Sequence, residues 1–106
     1  MHTESLPNRN RIYIPTKMLT ALKTTASYRS VVADGATIYD GVGIWRGEEE
    51  AVSIVEIFGD KKVKLALEML AEVMLALGEE AVLIDSDNSP MLYFANKTKR
   101  GALGWK

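Results

Sequence analysis

The apolar positions change period several times along the chain, and each change marks an element. Ile12-Tyr13-Ile14 is a short β-prone run that begins at Arg11 and is stopped by Pro15, which predicts a first strand. Met18, Leu19, Leu22 and Ala26 then recur at helical spacing, predicting one helix over 17–30 with Thr16 as its N-cap and with Thr24 and Thr25 weakening its end. After the turn signal Asp34-Gly35 the pattern alternates over 36–45, with Ile38, Val42 and Ile44 on one face and Thr37, Tyr39 and Trp45 on the other. A polar connection over 46–50 leads into a β-branched run over 52–58, whose less apolar side is expected to carry Ser53 and Glu56.

Gly59-Asp60 closes that run and offers an N-cap for the clearest helix in the chain. Val63, Ala66, Leu67, Leu70, Met74 and Leu77 form its apolar stripe, and Gly78 ends it. A fourth strand follows over 81–85, a turn over 86–90, and a fifth strand or hairpin return over 91–95.

The resulting order is β-α-β-β-α-β with a short extra C-terminal strand, which is the split β-α-β arrangement of an α+β, ferredoxin-like sandwich. Both helices then cover one face of the sheet. The other face is expected to carry Tyr39 and Trp45, with Tyr13 and Tyr93 as further candidates. So large an aromatic surface is unusual on a small monomer, so self-association through the sheet into a closed symmetric ring is the expected remedy.

Length and composition narrow this picture further. A chain of 106 residues with 47% hydrophobic and 25% charged residues has the make-up of one folded domain, placed at 11–96 between a flexible N-terminal segment, 1–10, and a basic C-terminal tail, 97–106. That tail has three readings: a solvated end, a segment docked on a neighbour, or a partner-binding element. The net charge of -1 gives no long-range attraction to nucleic acid or to an anionic membrane. Without cysteine, and with His2 as the only histidine, there is no thiol chemistry, no Ser-His-Asp or Cys-His set and no basis for a zinc site, so neither metal nor cofactor is expected. No run approaches the ~20 apolar residues of a membrane span and no signal peptide is legible, so a cytoplasmic protein is expected.

The densest chemical signal is Gly41-Val-Gly43-Ile-Trp45-Arg46-Gly47-Glu48-Glu49-Glu50. Taken singly, these residues have ordinary explanations: glycines that admit a close neighbour, an indole in a subunit contact, a solvated acidic loop. Taken together, Gly43, Trp45, Arg46 and the three glutamates suit a ligand site in which the indole stacks on a flat or cationic group and one of Glu48, Glu49 or Glu50 receives a positive charge or a hydroxyl, as an adenosine-bearing sulfonium or amine requires. Glu79-Glu80 follow Gly78, where a helix C-terminus disfavours acids, which hints at another task for one of them. Lys61, Lys62 and Lys64 crowd the first turn of the strong helix but lack a phosphate-loop glycine pattern, and are read as solvated.

The element order, the Gly41-x-Gly43-x-Trp45 strand, the acidic tip and Glu79-Glu80-Ala-Val-Leu-Ile resemble the PII-like superfamily of trimeric ferredoxin-like proteins over residues 11–96. The resemblance implies a homotrimer holding a small adenosine-containing ligand between subunits. Signalling PII proteins bind adenine nucleotides with a long loop and phosphate-binding loops, and this chain has only a tight tip. The phage S-adenosylmethionine lyases, which share the trimeric fold and split S-adenosylmethionine into methylthioadenosine and homoserine lactone, resemble it more closely at 48–54 and 78–84. That resemblance implies Glu49 and Glu80 as catalytic carboxylates, with Tyr39 standing in for a tyrosine whose position is occupied here by Trp45. If phage-encoded, such a protein would work in the host cytoplasm. The rival from another class is a non-catalytic PII-like regulatory or interaction module with a protein partner, such as an inhibitor of a host complex.

Overall fold

A computed structural model describes residues 1–3, 8–86 and 89–94. The expected tail 97–106, Ala95, residues 4–7 of the expected N-terminal segment and residues 87–88 of the expected 86–90 turn lie outside the described residues; the rest of that turn is strand instead, Ser86 ending the fourth strand and Ser89 and Pro90 opening the fifth. The fold is mixed α+β: β1 (Arg9–Pro15), α1 (Thr16–Leu22), α2 (Ala26–Val32), β2 (Thr37–Trp45), β3 (Glu48–Phe58), α3 (Lys61–Ala76), β4 (Ala81–Ser86) and β5 (Ser89–Phe94). All strand pairs are antiparallel, in the order β2-β3-β1-β4-β5. This order is compatible with a ferredoxin-like α+β fold. Among the described residues no helix is long and apolar enough to cross a membrane.

The first helical region departs from expectation. The single helix over 17–30 is two helices, because Thr25 turns its hydroxyl to the backbone, donating to Leu22 O at 2.6 Å and accepting from Tyr28 N at 3.2 Å as the N-cap of α2. Thr16 is not the cap of α1: Pro15 occupies that position without a side-chain bond, and Thr16 Oγ1 instead lies 3.0 Å from Ser53 Oγ.

The strong helix forms as expected. The Asp60 side chain accepts from Lys62 N at 3.0 Å and caps the start of α3. At its end, Gly78 takes φ 113°, with Gly78 N donating to Leu75 O and Glu79 N to Met74 O, both at 3.1 Å, which is the double hydrogen bond of a Schellman turn. Leu67, Leu70, Ala71 and Met74 are buried, whereas Leu77, expected on the same stripe, is the exposed C-cap residue. They pack on Ile12, Ile14, Val55, Ile57, Val82 and Ile84 of the sheet, with Leu22, Tyr28 and Val31 of α1 and α2 completing the core. Gly59 precedes α3 because any Cβ there would collide with Val63, whose own Cβ would be 2.6 Å away.

The cross-strand register sorts the residues between faces. Ile38 pairs with Val55 and Ile14 with Ser53 on the helix side; Tyr39 pairs with Ile54, Arg11 with Glu56, and Leu83 with Leu92 on the open side. Ser53 and Glu56 therefore do not share a face: three residues apart in a strand, they point oppositely, Ser53 into the core and Glu56 to the open side. Tyr93 likewise leaves the expected aromatic face. It pairs with Val82 on the helix side and its hydroxyl donates to Glu68 Oε2 of α3 at 2.8 Å. Burial first, and then the adjacent Glu68 carboxylate, push the Tyr93 phenol up to about 12.

Candidate functional site

The site arises where the sheet opens. β1 pairs with β3 as far as Pro15↔Val52, but its ladder with β4 stops at Ile12↔Ile84. Tyr13 and Pro15, beyond the end of that ladder, line a gap between the β3 and β4 sides. The β2–β3 hairpin runs on past the end of β1. Its connection is not the polar loop over 46–50 but a two-residue turn, Arg46-Gly47, with φ 52° and 81°, so Glu48, Glu49 and Glu50 belong to β3. Positive φ at both central residues is the turn that matches strand twist, and glycine at the second position favours it.

The result is a trough of about 550 Å³, a volume suited to a small-molecule ligand. Gly41, Gly43, Trp45, Val52 and Ile54 form one wall; Gly78, Glu79, Glu80, Ala81 and Leu83 form the other, with Leu92 at the margin. The two strand glycines keep the wall clear: a Cβ on Gly41 would stand 3.2 Å from Ile54 Cδ1, and one on Gly43 3.2 Å from Val52 Cγ1.

Three carboxylates, Glu50, Glu79 and Glu80, reach this apolar trough, and two cations bracket them. Lys17 Nζ is 3.4 Å from Glu50 Oε2, and Arg46 Nη2 is 3.5 Å from Glu80 Oε1 while its guanidinium lies 5.6 Å from the centre of the Trp45 ring. Glu79 and Glu50 are half-buried, whereas Glu80 is exposed. The burial of Glu79 first, and then the negative charges of Glu50 and Glu80 against the opposing pull of Lys17, raise its affinity for a proton above that of an ordinary carboxylate. A cation reaching Glu79 would meet an acceptor held in partly desolvated surroundings, where charge interactions are stronger than in water.

A second polar group lies on the same face away from the trough. Arg11 Nε donates to Glu56 Oε1 at 2.8 Å, Tyr39 OH to the same oxygen at 3.3 Å, and Arg11 Nη1 is 3.8 Å from Asp85 Oδ2. The hydrogen bond from Arg11 is the main reason the Glu56 carboxyl is held below its ordinary range.

The residues singled out in the sequence are thus divided. Gly43, Trp45, Glu50 and Glu80 meet at the trough, with Arg46 at its rim. Glu49 pairs with Ile44 on the opposite face of the hairpin, Glu48 pairs with Trp45 at the exposed tip, and Tyr39 belongs to the Arg11–Glu56 group. Glu79, Lys17 and Tyr13 join the site without having been chosen for it. Glu79 had a signal in the sequence, an acid beside a helix C-terminus; Lys17 had none, because its neighbour Glu50 is brought to it only by the pairing of β1 with β3. Among the described residues no group of acids or histidines is arranged to hold a metal ion. No protein-family model, no curated protein and no solved structure matches the chain.

Proposed function

We propose that this chain is a PII-like, ring-forming protein whose trough binds an adenosine-bearing cation, and that S-adenosylmethionine is the ligand, cleaved to methylthioadenosine and homoserine lactone. The observation that carries the reading is the set Glu50, Glu79 and Glu80 around an apolar trough walled by Trp45. The ligand supplies complementary parts: an ammonium and a sulfonium for the carboxylates and a flat purine for the indole. The geometry favours Glu50 over Glu49 as the anchor on the hairpin, since Glu50 faces the trough.

The reaction asks little of the protein in acid–base terms. The substrate's own carboxylate oxygen attacks its γ-carbon, the carbon–sulfur bond breaks, and sulfur leaves with the bonding pair as a neutral thioether. The trough would act by selecting the folded conformer in which these atoms are close, with Glu50, Glu79 and Glu80 around the ammonium and Arg46 near the reacting carboxylate. A homotrimer through the open sheet face would close the trough with a neighbouring subunit's surface.

Incubation with S-adenosylmethionine, followed by chromatography with mass detection of both products, tests the proposal. Product above the spontaneous rate that disappears in a Glu50→Gln, Glu80→Gln double variant supports it; full turnover in that variant removes these residues from the mechanism. Neither binding nor product favours the second reading, an interaction module. The observation on its side is the helix-side strip of the projecting hairpin, where Val42 and Ile44 are 67% and 69% exposed.

A further inference from the structure

β2 is an edge strand, and among the described residues nothing pairs with its outer side. The two-residue turn Arg46-Gly47 makes Trp45 and Glu48 the hydrogen-bonded pair that closes the hairpin, and bonded and non-bonded pairs alternate from there. Gly43, Gly41 and Tyr39 therefore bond to β3, while Ile38, Asp40, Val42 and Ile44 turn their N–H and C=O groups outward. Nothing in the strand guards this row. The ladder with β3 runs from Thr37 to Trp45 without a bulge, and β2 contains no proline or lysine, Asp40 being its one charge. β5, the opposite edge, is only 6 residues long and carries Pro90, which has no N–H to donate. The side chains of Ile38, Val42 and Ile44 are exposed as well, so backbone and apolar surface call for cover at the same place.

β2 is complementary to itself. A second copy laid antiparallel about a two-fold axis at Gly41, the midpoint of the strand, pairs all 9 residues at once. Each outward-facing residue then meets another: Ile38 the second copy's Ile44, and Asp40 the second copy's Val42. On the open side Tyr39 stands beside the second copy's Gly43, an aromatic ring covering a glycine. Neighbouring registers are worse. Moving the axis to Asp40 sets two carboxylates opposite each other, and moving it to Val42 puts Ile38 against Arg46 in the turn.

We propose that the outer edge of β2 is a self-pairing surface through which two copies join their five-stranded sheets, antiparallel and centred on Gly41. Gly43 lines the trough, so the pairing brings the second copy's Tyr39 to the trough wall. The inference depends neither on what the trough binds nor on a ring through the open face, because it uses the backbone edge. One shared ladder is a small contact, and a dissociation constant on the order of 100 μM is expected.

Because the chain has no cysteine, single-cysteine variants report the register directly. Ile38→Cys copies labelled with ¹⁵N are mixed with unlabelled Ile44→Cys copies at about 0.3 mM, above the expected dissociation constant, oxidised mildly and read by intact mass. Disulfides between unlike copies should exceed those between like copies at least about tenfold, because like positions lie six residues apart across the axis, roughly 20 Å and out of disulfide reach. Val42→Pro removes an outward N–H and spares the bonds to β3. Added to both variants, it should abolish the mixed disulfide, and alone it should abolish the concentration-dependent dimer in sedimentation velocity, with far-ultraviolet circular dichroism retained. Equal yields from like and unlike copies, a mixed disulfide that survives Val42→Pro in a folded protein, or no association at this concentration overturn the proposal. If Val42→Pro itself loses the fold, the disulfide pattern decides alone.

Discussion

Arg46 and Glu80 meet at 3.5 Å across the mouth of the trough, one at a hairpin tip and the other just after a helix. Arg46 reaches this position from a left-handed backbone, φ 52°, which costs a side-chain-bearing residue roughly 1–2 kcal/mol. Its exposed ion pair and its contact with the Trp45 ring together return about 1 kcal/mol or less. Arg46→Asn, which tolerates this backbone, is therefore expected to raise stability by about 0.5 kcal/mol in urea unfolding while weakening ligand capture. A loss of stability would show that the Arg46 contacts outweigh the turn strain.

Glu79 and Glu56 should give stability opposite slopes in different pH windows. The Glu56 carboxyl is depressed in the fold, so its stabilising contribution is present above the ordinary carboxylate range and is lost as pH falls through its lowered value. Glu79 is raised, so the folded state holds more protons than the unfolded one between the ordinary and the raised value, and stability falls as pH rises through that window. Glu79→Gln should remove the second slope and raise stability at neutral pH, leaving the acid limb unchanged. Denaturant midpoints measured from pH 3 to 8, about the range in which carboxylates titrate, check both.

Gly59→Ala is expected to destabilise by about 1–3 kcal/mol, because the new methyl drives into Val63 at the first turn of α3. Val63→Ala should rescue it only in part, since the Val63 Cβ, which alanine keeps, would still be 2.6 Å away. Complete rescue in thermal unfolding would show that α3 shifts to make room.

If the open face closes a ring, a charge at its centre should break it. Leu83 is half-buried on that face, opposite Leu92, and points away from the core. Leu83→Lys should convert the assembly to monomer in sedimentation velocity with the far-ultraviolet circular dichroism retained. An assembly unaffected by this change would exclude the open face as its contact.

Local signals in the sequence were good guides where one residue type had one task. The α3 stripe up to Met74, Asp60 as its cap and Gly78 as its end appear as read, and only Leu77 leaves the stripe, because helix period and caps are set within a few residues. Alternation along β2 sorted Ile38, Val42 and Ile44 from Tyr39 and Trp45 for the same reason. Local signals failed where two local preferences competed. Thr25 could continue a helix or cap a new one, and Arg46-Gly47 made a turn tight enough to return Glu48, Glu49 and Glu50 to a strand.

By itself the sequence determined the succession of five strands, the helix that carries the core and the presence of acids beside glycines and an indole, since these follow from periodicity and composition. Only the tertiary structure decided which acids belong together. In a strand neighbouring side chains point to opposite faces, so a single residue of register separates Glu49, beside Ile44, from Glu50, beside Gly43. Glu50 and Glu79 are 29 positions apart in sequence and become neighbours because β1, pairing with β3 on one side and with β4 on the other, brings both strands to the same gap. Long-range pairing of this kind leaves no mark on either residue's local sequence.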